Sequence, residues 1–96
     1  MKDIMENKEI PDICKSHGIN YLALFGSRVR GDFKPDSDVD LLVKFNRIVS
    51  LLELSRAENA LKDSLNLPVD LVMADGLRSV LRPYVEKDLK VIYAEE

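Results

Sequence analysis

Two kinds of apolar pattern alternate along this chain. Tyr21 to Phe25 is a short apolar run closed by Gly26, which predicts a buried strand. From Asp38 to Phe45 the pattern becomes a strict alternation. Val39, Leu41, Val43 and Phe45 fall on one face, and Asp38, Asp40, Leu42 and Lys44 on the other. Val69-Asp70-Leu71-Val72 is a third strand with an acid in its middle, and Val91-Ile92-Tyr93-Ala94 a last one.

Between these runs the period changes to that of a helix. Leu54, Ala57, Leu61 and Leu65 mark one stripe, so a helix is predicted from Ser50 to about Leu65. Ser50 and Glu53 have capping-box spacing, Val49 and Leu54 have staple spacing, and Pro68 blocks continuation. An N-terminal helix reaches His17 with Ile10, Ile13 and Cys14 on one face, and Gly18 stops it. Pro11 either opens that helix or kinks a longer one. A short helical turn is predicted over Arg28 to Arg30 with Ser27 as its N-cap. Asp75-Gly76 turns the chain, and Pro83 can open one more short helix. Strands alternating with helices predict an α/β or α+β domain, a sheet covered by helices on one main face.

Composition narrows the class. The 96 residues predict one domain over 1–96, with room for a single modest core. The net charge of −3 gives no general attraction for nucleic acid, so any polyanion must be held locally, and direct nucleic-acid binding is not expected. One cysteine, Cys14, rules out a disulfide within the chain and fits a reducing cytoplasm. No apolar run approaches the roughly 20 residues of a membrane span, and no signal peptide is visible. A strand near the C-terminus could pair edges with a second copy to make a homodimer.

The chemistry concentrates between Gly26 and Asp40. Asp38 and Asp40, two apart on a strand, share a face with Cα atoms about 6.5 Å apart. Two bare carboxylates at that separation repel by roughly 2–3 kcal/mol at an effective dielectric near 20. A hard divalent cation offsets this best, and oxygen ligands suit Mg²⁺; a solvated strand end would screen it instead. Asp70 sits inside what is otherwise a buried strand, where a carboxylate is normally neutralised, paired or metal-bound. If its strand neighbours that of Asp40, it can reach the same cation; on an edge strand it would point to solvent. Gly26-Ser27 follows a strand and precedes a helical turn, so its N–H groups and hydroxyl can donate to a phosphate, with Arg28 and Arg30 adding charge. The alternative is a tight turn with a capping serine.

In combination these pieces resemble a known family. Gly26-Ser27, ten residues, then Asp38-x-Asp40 is similar to the signature of the polymerase-β-type nucleotidyltransferases. Gly-Ser-Arg-x-Arg-Gly at 26–31, Ser-Asp-x-Asp-Leu at 37–41 and Val-Asp-Leu-Val at 69–72 resemble its smallest members, the minimal nucleotidyltransferases (MNT), as does Leu81-Arg82-Pro83. The resemblance spans nearly the whole chain. It implies a mixed sheet of about four strands with helices mainly on one face. It also implies ATP as substrate and two Mg²⁺ ions. Asp38 and Asp40 would hold metal, Asp70 would join the second metal and help deprotonate the incoming hydroxyl, and Gly26 and Ser27 would hold the β and γ phosphates.

Stand-alone minimal members resemble the antitoxin half of HEPN/MNT toxin–antitoxin pairs. The implied activity is transfer of AMP from ATP to a tyrosine hydroxyl of a HEPN toxin. Two other readings remain beside it: a module that neutralises its partner by occlusion alone, and a catalytic subunit that nucleotidylates a small molecule. Among the remaining residues, Cys14 is expected in the core and His17 at a helix end. Tyr21, Tyr84 and Tyr93 are expected to pack rather than stack on a base, and Arg78 and Arg82 can reach either nucleotide or partner.

Overall fold

The computed structural model describes residue 4, residues 7–31, residue 34, residues 38–74 and residues 89–95. In chain order the elements are α1 (Ile10–His17), β1 (Ile19–Phe25), α2 (Ser27–Arg30), β2 (Val39–Phe45), α3 (Leu51–Leu65), β3 (Val69–Met73) and β4 (Lys90–Ala94). The strands form one four-stranded sheet in the order β3-β2-β1-β4. β1 runs antiparallel to both β2 and β4, while β2 and β3 are parallel, so the sheet is mixed. The fold is α+β, a mixed sheet of four strands among the described residues.

Local chemistry explains the boundaries. Pro11 lies in the first turn of α1, where its missing N–H is no loss, so it opens the helix rather than kinking it. Gly18 ends α1 at φ 72°, and its N–H bonds back to carbonyls of the last turn. α3 starts as its capping box predicts: the Ser50 hydroxyl accepts a 3.1 Å hydrogen bond from the Glu53 N–H. Asn66, at φ 55°, closes it in the left-handed conformation.

The two longer helices cover one face of the sheet. Ile10 and Cys14 of α1 and Ala57 and Leu61 of α3 pack with Leu22, Leu24, Val39, Leu41, Val43, Val69 and Leu71 in one core. Leu54 and Leu65 flank it, which completes the predicted stripe of α3. Burial pushes the Cys14 thiol up to about 12. The other face carries Tyr21, Asp40, Lys44 and Asp70, by the alternation of strand residues. Even there Ala23 and Leu42 are buried. Lys44 places its ammonium 4.9 Å from the centre of the Tyr21 ring. Tyr21 thus meets a cation on the open face, while Tyr93 packs against the core.

Three strands are slightly longer than their apolar runs, with β1 gaining Ile19 and Asn20, β3 gaining Met73 and β4 gaining Lys90, while β2 begins at Val39, one residue after the predicted Asp38. Ser27 is the first residue of α2 rather than its N-cap, and the Gly26 carbonyl accepts the turn's hydrogen bond from Val29 N–H at 3.1 Å. Asp75-Gly76, Leu81-Arg82-Pro83, Arg78, Tyr84 and the short helix after Pro83 lie outside the described residues. Among the described residues, no helix is long and apolar enough to cross a membrane.

Candidate active site

Strand pairing assembles the carboxylates. The parallel register of β2 and β3 sets Val39 against Val69 and Asp40 against Asp70. In-register residues on neighbouring strands project to the same face about 4.8 Å apart. Asp40 and Asp70 are therefore side by side, on the face opposite the helices. Asp38, two residues before Asp40, lies just ahead of β2 and is exposed. The two strand starts are tied together, since Val39 N–H donates to the Pro68 carbonyl at 2.8 Å.

The third strand lies at the edge of the sheet, and Asp70 is exposed. Of the two placements its sequence leaves open, a buried strand and an edge strand facing solvent, the structure shows the second. Val69 and Leu71 face the helices and are buried, while the residue between them meets solvent. Desolvation is therefore not what makes Asp70 notable. Its register with Asp40 is.

The turn after β1 comes to the same place. Phe25 is the register partner of Asp40 on the antiparallel side, so Gly26 follows directly beside that carboxylate. Gly26 has φ 82°, and a Cβ there would run into Asp40 Oδ2. Only glycine meets both demands. α2 packs against β1 and β2, anchored by Val29 on the core, and Arg28 is half-buried. The backbone thus carries Gly26, Ser27, Arg28 and Arg30 past the strand that bears Asp40 and begins just after Asp38. The steric reason for Gly26 is not legible in the sequence. The register that creates it spans sheet neighbours and leaves no mark in local pattern.

Among the described residues, no three His, Cys, Asp or Glu side chains converge tightly enough to cage a metal by themselves. Mg²⁺ seldom needs such a cage. It is usually held by one or two carboxylates, with substrate phosphates and waters filling the other positions. A hard-oxygen donor set next to a phosphate-type turn fits that mode.

A short phosphate-type turn joined to strand-borne carboxylates on a mixed sheet defines a class of enzyme, the nucleotidyltransferases. The nucleotidyltransferase domain model matches residues 7–95, and this chain belongs to that family. It is 40% identical to the protein adenylyltransferase MntA of Thermococcus cleftensis over 90 residues, covering 85% of this chain and 91% of that protein. A solved minimal nucleotidyltransferase superposes with a TM-score of 0.77 at 33% identity, covering 93% of this chain and 95% of that one. The fold is also that of a chain in the complex of tri-AMPylated Shewanella oneidensis HEPN toxin with MNT antitoxin, with a TM-score of 0.69 at 20% identity, covering 92% of this chain and 69% of that one.

Proposed function

We propose that this chain is an Mg²⁺-dependent protein adenylyltransferase that transfers AMP from ATP to a tyrosine hydroxyl of a HEPN toxin, and so acts as its antitoxin. The observation that carries the reading is the register of Asp40 with Asp70, with Asp38 just ahead and Gly26 against Asp40. Similarity to MntA supports a protein acceptor, and the HEPN–MNT complex supports its kind.

Each residue has a task in this reading. The turn from Gly26 to Arg30 holds the triphosphate through backbone N–H groups, with Arg28 and Arg30 as counter-charge. Asp38 and Asp40 supply the oxygens for divalent cations, with Asp70 beside them. When bound, those cations stabilise charge on the attacking and leaving oxygens. Asp70 takes the proton of the acceptor hydroxyl as that oxygen attacks the α-phosphorus. One O–P bond forms, the bond from the α-phosphorus to the bridging oxygen breaks, and pyrophosphate leaves. The edge position of Asp70 supports this role, because a group that meets a protein acceptor must be reachable from outside.

The test uses the full chain, Mg²⁺, the product of the neighbouring gene as the candidate HEPN protein, and ATP labelled at either the α or the γ phosphate. Label reaching the HEPN protein from the α position only is the expected result. Tight complex formation with no label from either position would replace transfer by occlusion.

A further inference from the structure

Ile48, Leu51 and Leu52 are 97%, 83% and 60% exposed. They occupy the loop after β2 and the first turn of α3. The fold does not require them there. The core takes its helix contacts from Leu54, Ala57, Leu61 and Leu65, and Ser50 does the capping. Single exposed aliphatics are ordinary, but three within five residues form a patch that water penalises.

Charged side chains with a small basic excess edge the patch. Leu52 lines a cleft of about 510 Å³ together with His17, Arg47, Glu53 and Arg56. Arg47 forms an ion pair with Glu53, while Arg56 follows Leu52 by one turn, so leucine and guanidinium share a strip of helix. Arg47 immediately precedes Ile48. With Arg47 balanced by Glu53, Arg56 leaves an excess of one positive charge beside the patch, in a chain of net charge −3. An apolar centre with a basic edge is complementary to an apolar surface edged by carboxylates.

Position adds to the argument. Asp40 lies at the start of β2 and Arg47 just past its end, so the seven-residue strand places the patch about 20 Å from the carboxylates. A protein held there leaves the transfer site uncovered. We propose that Ile48, Leu51 and Leu52, edged by Arg47 and Arg56, are the docking surface for the protein acceptor, whose matching face carries aliphatic side chains flanked by carboxylates. The inference rests on the reading that the acceptor is a HEPN protein. It adds where that protein is held, which is apart from where it is modified.

The test compares wild type with a Leu51→Glu/Leu52→Glu double variant and with Arg56→Glu. Calorimetric titration with the HEPN protein is paired with transfer kinetics. The double variant should raise Kd and KM for the acceptor by about tenfold or more, leaving ATP affinity and kcat at saturating acceptor within about twofold. Arg56→Glu should weaken binding less, and added salt should narrow the difference. Asn59→Glu, farther along α3, should bind as wild type does. Wild-type Kd in the double variant overturns the proposal, and so does a fall in kcat at unchanged KM. It is also overturned if the patch proves to join two copies, seen as a wild-type dimer that the double variant splits. Docking abolished by the double variant, with no AMP transferred even by wild type, would uphold the surface and sink the adenylyltransferase reading. No binding by wild type would sink both.

Discussion

The carboxylate of Asp40 occupies the space that a side chain at position 26 would need. Gly26 also holds φ 82°, a conformation that L-residues with a Cβ adopt only with strain. Gly26→Ala should therefore push Asp40 aside and strain the turn. A stability loss of about 1 kcal/mol or more is expected, with a fall in transfer rate of about a hundredfold from misplacing the carboxylate. Thermal melts and single-turnover labelling separate the two effects. Wild-type activity with an unchanged melt would remove the steric coupling between turn and strand.

The three aspartates should separate by role. Asp38→Asn and Asp40→Asn should abolish transfer, and chelation of Mg²⁺ should do the same to wild type. The fold should survive each change, since Asp38 is exposed and Asp40 half-buried. Asp70→Asn should lower turnover by roughly 10²–10⁴-fold, the range for loss of a general base, with a smaller effect on nucleotide affinity. Equal losses in both would make Asp70 chiefly part of the nucleotide site.

Cys14 should be silent in the native protein. Its thiol is fully buried and is pushed up to about 12 from an ordinary 9.0 by desolvation. A thiol reagent at pH 8 should label it only as fast as the molecule opens. Linkage gives the sign of the alkaline effect. Above about pH 9 the unfolded thiol loses its proton while the folded one keeps it, so unfolding releases a proton. The contribution is whole below pH 9 and is lost as pH climbs towards 12. Denaturant midpoints should fall over that interval, and more steeply in wild type than in Cys14→Ala.

Helix α3 offers a contrast of buried and exposed leucines. Leu61 is fully buried, and Leu61→Ala should cost about 2–5 kcal/mol. Leu51→Ala should change stability by no more than about 0.5 kcal/mol, because the side chain meets mostly water. Ser50→Ala should lie between them at about 1 kcal/mol through loss of the cap. Urea titrations of the three variants give the order. A large loss at Leu51 would mean that the patch supports the fold.

Much of this protein is legible in its sequence, because much of it is set by local rules. The alternation in β2 puts Val39, Leu41 and Val43 inward and Asp40 outward before any partner strand is known. Ser50 and Glu53 start α3, and Gly18 stops α1, through bonds that span a few residues. The chemistry of the site is local too, since Gly26-Ser27 and Asp38-x-Asp40 lie within fifteen residues of each other.

Tertiary structure decided what no local rule reaches. Strand order made β3 an edge, so Asp70 is exposed although its neighbours are apolar. Parallel register set Asp70 against Asp40, and the β1–β2 register set Gly26 against the same carboxylate. Leu51 and Leu52 have the same side chain as Leu54 and Leu61, and only the packing direction of α3 leaves them in water. Local pattern sets which way a residue points relative to its own element. Pairing between elements sets what it meets, and that depends on residues far away in the chain.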